Sequence, residues 1–190
     1  MPAVTHTSAD FDVIVLGAGA SGLFCAFTAA QRGRRVLVLE RANKIGKKIL
    51  MSGGGRCNFT NQMVEPNNFL SRNPHFCKSA LQRYNQWEFI SLVEQHGIAY
   101  EERKHSQLFC QDSAKQIVAM LEDECIQAGV EIRTQCELER LEALNETGNA
   151  ARYRLHLQHS GRPQKLTCTT VVVATGALSV PTLGGSGIGY

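Results

Sequence analysis

The sequence predicts an α/β protein built on a doubly wound parallel sheet, and three observations predict it. Residues 13–16 (VIVL) and 36–39 (VLVL) are short apolar runs on either side of a helical stretch, residues 23–32. Such runs suit strands covered on both faces, as parallel strands in layered α/β proteins are. Between the first run and the helix lie Gly17, Gly19 and Gly22, in the spacing G-x-G-x-x-G. The pattern then returns: a helix over residues 113–128 leads into a third strand at 130–133, and residues 171–174 form another apolar run.

Taken in order, residues 1–10 (MPAVTHTSAD) are a polar lead-in, expected to be mobile. They lack the basic and apolar regions of a signal peptide. Gly17 permits a tight turn, Gly19 lets backbone approach a pyrophosphate, and Gly22 lets the helix pack close to the strand. The helix N-terminus offers free N–H groups and a positive dipole end to that pyrophosphate. Gly33 follows the helix as its C-terminal cap. The second strand ends on Glu40, about 20 residues past the glycines, where an acid can accept hydrogen bonds from adenosine ribose hydroxyls. Three glycines alone are a weak signal and also fit a Gly-rich βα turn. Strand, glycines, helix, strand and acid in one unit point to a bound dinucleotide.

Residues 41–64 break the pattern. They carry Arg41, Lys44, Lys47, Lys48 and Arg56 with no acid, and the run Ser52, Gly53, Gly54, Gly55. Such a run is uncomfortable inside a helix or strand. It suits backbone lying close to a flat ligand with cations near its phosphates, the plainer alternative being a solvated loop. Residues 74–97 read as one or two helices with Ala80, Leu81, Tyr84, Phe89, Leu92 and Val93 as apolar contacts. Their aromatic residues are expected in the core and not as stacking platforms for nucleic acid. Residues 98–109 suit a short pair of strands, and Ser113 is placed to cap the next helix, which Gly129 ends. Within residues 137–169 three strand-like segments are separated by NETGN and HSGRP, which predicts a small antiparallel β-meander laid on the parallel sheet. The chain closes with Thr175, Gly176 and a Gly-rich tail over residues 184–190.

Composition is that of an ordinary globular domain of 190 residues, and a net charge of +3 is too small to argue for nucleic acid. The seven cysteines contain no C-x-x-C pair, which reads as free thiols in a reducing compartment. The six histidines show no ligand spacing, so no metal is assigned. Residues 13–30 carry no charge and could pass for a membrane span by length, but their glycine spacing argues otherwise. A cytoplasmic protein is expected.

Three motifs together resemble the YhiN/BaiN-type NAD(P)/FAD-dependent oxidoreductases, the aminoacetone-oxidase-like flavoproteins. They are DVIVLGAGASG with Glu40, then GKKILMSGGGRCNFTN over residues 46–61, and VVVATGALSVPTLGGSGIGY over residues 171–190. The second is the most specific. The resemblance implies a Rossmann-like, glutathione-reductase-like FAD-binding domain over residues 11–190, with members of the family about twice as long. By that resemblance Gly17, Gly19, Ala20, Ser21 and Gly22 cradle the pyrophosphate, and Glu40 and Arg41 hold the adenosine ribose. Lys47, Lys48, Gly54, Arg56, Cys57 and Asn58 match the segment along the flavin. A backbone group of Leu138 meets the adenine, and Thr175 and Gly176 make a second flavin contact. Three residues depart from the family pattern: Cys110 stands where proline is common, Ala177 replaces a frequent glycine, and Ile188 an often acidic residue.

Dithiol flavoenzymes carry two cysteines about five apart beside the flavin, and Cys57 has no such neighbour in sequence. The expectation is direct hydride exchange with FAD, reduced by NADH or NADPH, with no redox-active disulfide. No catalytic residue stands out. The substrate is expected to be a small molecule, with no nucleic acid and no membrane as partner. A tRNA-associated flavoprotein and a non-catalytic nucleotide-binding fragment are the alternatives. Because the chain stops just past the second flavin motif, it is expected to be truncated before a substrate domain. It would then bind FAD weakly and oxidise little NAD(P)H without a second polypeptide supplying the missing half.

Overall fold

A computed structural model describes residues 8–144 and 150–176. Residues 1–7 of the expected lead-in (1–10), the whole NETGN turn (145–149), and Ala177, Ile188 and the Gly-rich tail lie outside the described residues. The elements run β1 (Phe11–Leu16), α1 (Ala20–Gln31), β2 (Val36–Leu39), α2 (Lys47–Met51), β3 (Asn58–Asn61), α3 (Lys78–Arg83) and α4 (Gln86–Gln95). They continue as β4 (Tyr100–Arg103), β5 (Gln107–Cys110), α5 (Lys115–Gln127), β6 (Glu131–Arg133), β7 (Cys136–Ala143), β8 (Tyr153–His159) and β9 (Arg162–Val173). The chain divides into two compact units, residues 1–47 with 121–190, and residues 48–120.

The first unit is a Rossmann-like α/β layer on a six-stranded sheet of order β6-β2-β1-β9-β8-β7. β2 lies parallel to β1 with Val13 opposite Val36, and β6 lies parallel to β2 with Leu37 opposite Glu131. Strands β1 and β2 are almost wholly apolar because both of their faces are covered. On one face Ile14, Leu16, Leu37 and Leu39 pack with Cys136, Leu155, Leu157 and Cys168. Val15, Val36 and Val38 are buried as well, and α1 turns Leu23, Ala26 and Phe27 inward. Each fully buried aliphatic side chain contributes about 1.5–3 kcal/mol, so these two central strands anchor the unit.

The antiparallel segments differ from the expected layer in one respect. β9 is a single strand of 12 residues: its first half pairs antiparallel with β8, and from Cys168 to Val173 it runs parallel to β1. The meander therefore extends the parallel sheet sideways and does not sit on top of it. Two positive-φ residues, Ser160 (52°) and Gly161 (76°), close the β8–β9 hairpin, the backbone that matches strand twist in a two-residue turn.

The second unit holds a three-stranded antiparallel sheet, β3-β5-β4, with α3 and α4. The pair β4–β5 falls where expected, with Tyr100 opposite Cys110. β3 falls within residues 41–64, where the sequence predicts no strand, since NFTN carries neither a sustained alternation nor an apolar run. Asn85 caps α4 by accepting from the N–H groups of Trp87 and Glu88, and Glu88 returns a bond to the Asn85 N–H at 2.6 Å. α4 buries Ile90 and Val93. Of the other expected apolar contacts, Leu81, Tyr84, Phe89 and Leu92 are half-buried and Ala80 is exposed. The expectation that the aromatic residues of this stretch are core fails for Phe76 and Trp87, which stay 81% and 54% exposed.

Candidate functional site

The glycine loop of the first unit is shaped by two close backbone approaches. Gly17 has φ 104°, and a Cβ there would lie 2.6 Å from the Ala174 carbonyl oxygen. A Cβ on Gly22 would overlap the Gly17 carbonyl. These two glycines let β1, α1 and the end of β9 meet backbone to backbone, and Ala174 N–H donates to the Leu16 carbonyl at 2.8 Å. Gly19 is different. It has φ −85°, and among the described residues nothing lies within 4 Å of its Cβ position.

Gly19 is also the N-cap of α1 and has no side-chain cap, and no acid lies in the first turn. Among the described residues no acceptor meets the N–H groups of Ala20, Ser21 or Gly22. Unpaired N–H groups at a helix start, with no carboxylate in its first turn, fit an anionic pyrophosphate.

Glu40 follows β2 and holds this loop together. Its Oε2 accepts from the Ala18 N–H at 2.8 Å and its Oε1 from the Ala42 N–H at 2.8 Å. The Gly46 N–H donates to the Ala18 carbonyl at 2.8 Å, so both backbone polar groups of buried Ala18 are satisfied by the segment after β2. Each Glu40 oxygen keeps a further lone pair for a ribose hydroxyl. This tethering role was not visible in the motif, which places an acid there without showing what else it holds. Arg41 lies 3.9 Å from Glu137 in an exposed pair. Leu138 sits in β7 opposite Leu157, its side chain packed on the apolar face of the sheet. Thr175 and Gly176 follow β9, and Gly176 has φ 81°.

Lys47 closes the first unit and Lys48 opens the second, both on α2. In the second unit Gly53, Gly54 and Gly55 all take left-handed backbone, with φ 58°, 66° and 86°. Gly53 is obligatory: a Cβ would lie 2.6 Å from the Phe109 ring and 2.8 Å from the Asn58 nitrogen. The turn is fixed by Cys57 N–H donating to Ser52 O at 3.0 Å and Ala114 N–H to Gly55 O at 2.7 Å. Arg56 is engaged by Glu101 at 3.4 Å, and Arg103 shares the same carboxylate at 2.7 Å. Arg103 also lies over the Phe109 ring at 4.3 Å. The Arg103 hydrogen bond, aided by Arg56, holds the Glu101 carboxyl below its usual range. Asn58 opens β3, opposite Phe109.

Cys57 is a sequence neighbour of no thiol, yet the fold brings Cys110 near it. The Cys110 N–H donates to the Arg56 carbonyl at 2.9 Å, and both cysteines are free and buried. Burial, with the Cys110 thiol adding to it, pushes the Cys57 pKa up to about 11. Burial likewise raises Cys110. These are protonated thiols at neutral pH, poorly suited to thiolate chemistry. Iodoacetamide at pH 8 is therefore expected to modify half-buried Cys25 and Cys77 well before Cys57, as peptide mass spectrometry would show. Cys57 reacting as fast in the folded chain as in urea would contradict it. Because the folded-state pKa is raised above the usual 9.0, the stability tied to this thiol is intact below pH 9. It is lost as pH climbs towards 11.

Among the described residues no group of three or more His, Cys, Asp and Glu gathers as a metal site, and no helix is long and apolar enough to cross a membrane.

Against known proteins, the HI0933-like protein Rossmann domain family matches residues 11–190, and the chain belongs to that family. The resemblance read from its motifs holds at that level. The chain is 53% identical over 180 residues to the ribosomal RNA dihydrouridine synthase of Escherichia coli K12, covering 95% of this chain and 43% of that protein. It is 49% identical over 177 residues to the protein of the same name from Haemophilus influenzae, covering 93% and 43%. The chain thus spans less than half the length of these relatives. Among solved structures, the 3-ketosteroid-Δ4-(5α)-dehydrogenase of Rhodococcus jostii RHA1 shares the fold, with TM-score 0.64 at 16% identity over 92% of this chain and 48% of that one. The two named relatives overturn the expectation of no nucleic acid. A small net charge does not exclude an RNA partner, because it says nothing about how cations are distributed on a surface.

Proposed function

We propose that this chain is the FAD-binding portion of an enzyme that reduces uridine in ribosomal RNA to dihydrouridine. The observation that carries the reading is identity of 53% over 180 residues to a protein named for that activity. The open, uncapped start of α1 before Gly19 supports a dinucleotide there.

Reducing the uracil ring saturates one carbon–carbon double bond: a hydride adds to one carbon and a proton to the other. FAD, itself reduced by NADH or NADPH, supplies the hydride when bound. This chain's residues bind and orient. The N–H groups of Ala20, Ser21 and Gly22 take the pyrophosphate, with Gly17 making the tight turn and Gly19 leaving backbone room, while Glu40 holds the loop and offers lone pairs to the ribose and Arg41 lies beside it. The Leu138 backbone as adenine contact, and Lys47, Lys48, Gly54, Arg56, Cys57, Asn58, Thr175 and Gly176 as flavin contacts, rest on the family resemblance. The raised Cys57 pKa supports a route without a thiolate or redox disulfide.

Deleting the encoding gene in its own organism is expected to remove dihydrouridine from the ribosomal RNA, read by nucleoside mass spectrometry, and the intact gene to restore it. Unchanged dihydrouridine in the deletion strain would refute the reading.

A further inference from the structure

Residues 66–87 of the second unit place no fully buried side chain in its core. No residue between Asn58 and Phe89 is buried. The segment nonetheless has a defined shape, closed by polar contacts. Gln86 Nε2 donates to the Gln62 carbonyl at 3.0 Å, and the Cys77 thiol to the Pro66 carbonyl at 3.7 Å. The Asn68 and Asn73 side chains accept from Glu65 and His75 N–H groups at 2.7 and 3.0 Å. A loop held at both ends and folded on its own polar groups is built to present a surface.

That surface is aromatic and cationic. Phe69, Phe76 and Trp87 are 46%, 81% and 54% exposed, and Leu70 is 96% exposed. Arg72, Lys78 and Arg83 are interspersed with them, and residues 66–87 contain no Asp or Glu. Among the described residues none of these three cations is paired with a carboxylate, and none of the three rings meets another ring. Leaving such apolar area in water is unfavourable unless a partner covers it. A buried protein interface would call for apolar area with few charges at its centre. Cations alternating with free ring faces match instead a phosphate backbone with unstacked bases, since every base offers a π-face and every nucleotide a negative charge.

We propose that residues 66–87 form a docking surface for single-stranded RNA, with Phe76 and Trp87 as base-stacking platforms and Arg72, Lys78 and Arg83 as phosphate contacts. The proposal rests on the reading that this chain serves an RNA-modifying enzyme, and names the surface that meets the RNA.

Trp87 is the only tryptophan of the chain, so its fluorescence reports on this surface alone. A uridine-rich single-stranded oligoribonucleotide titrated into the 190-residue chain is expected to quench Trp87. Affinity should fall with salt at a log–log slope of about −2, as three phosphate contacts require. Phe76→Ala should weaken binding roughly five- to hundredfold, and the triple variant Arg72→Ala, Lys78→Ala, Arg83→Ala should flatten most of the salt dependence. All four positions are exposed, and an unchanged thermal transition would show the variants folded. Parent-like affinity in both variants, or absence of RNA binding by the parent, would overturn the proposal. So would concentration-dependent self-association abolished by Phe76→Ala, which would assign the face to a second copy of the chain. Gene deletion reads the function separately: loss of dihydrouridine together with RNA binding unaffected by Phe76→Ala would sink the docking surface and leave the function standing.

Discussion

Gly22→Ala is expected to destabilise the first unit by about 3 kcal/mol or more and to abolish detectable FAD binding. Its Cβ would occupy the place of the Gly17 carbonyl oxygen, so β1 and α1 would have to separate. Backbone, unlike a flexible side chain, cannot swing away from such an overlap. The shift would also carry the first-turn N–H groups off their aim. Gly19→Ala is the informative partner. Among the described residues nothing lies within 4 Å of its Cβ position, and its φ of −85° suits alanine, so the fold should keep its thermal transition. The methyl would instead enter the space left for a pyrophosphate and lower affinity at least tenfold. Two glycines of one motif are thus expected to separate: Gly22 losing stability and binding together, Gly19 losing binding alone. Equal melting temperatures for Gly22→Ala and the parent would contradict the packing described here.

Glu40→Ala is expected to destabilise the protein even with no cofactor added. Its carboxylate satisfies the Ala18 and Ala42 N–H groups at 2.8 Å each. Hydrogen bonds to a charged group contribute about 1.5–3 kcal/mol each, and partial replacement by water leaves a net loss of about 2–3 kcal/mol for the pair. Glu40→Gln keeps one acceptor and turns an NH2 towards the other N–H, so it should fall between alanine and the parent. A residue that only received a ribose would leave cofactor-free stability unchanged, and chemical denaturation of the two variants without FAD separates these roles. With FAD present, the alanine variant should retain the cofactor at least tenfold less tightly.

The parts of this molecule that sequence reveals are those where local chemistry and global fold agree. Apolar runs flanking three spaced glycines can be satisfied in few ways, so β1, α1, β2 and the nucleotide loop are readable, as are Ser113 and Gly129 at the ends of α5. What was hidden depends on partners far away in sequence. β9 reads as two strands because its pairing changes from antiparallel to parallel at Cys168, which no local pattern records. The tether from Glu40 to Ala18 spans 22 residues. β3 forms because Asn58–Asn61 is taken up by β5, not because NFTN favours a strand. Phe76 and Trp87 looked like core because periodicity marks apolar residues without saying what covers them. Cys57 and Cys110 are far apart along the chain, and what brings them near is the Cys110 N–H donating to the carbonyl of Arg56, the residue before Cys57.

The claim that the start of α1 is a pyrophosphate cradle is tested most directly by amide NMR of the isotopically labelled chain during titration with FAD. The N–H resonances of Gly19, Ala20, Ser21 and Gly22 are expected to shift most, and AMP, which lacks the pyrophosphate, to move them far less. FAD binding that leaves these four amides unmoved, or no binding at millimolar FAD, would contradict it.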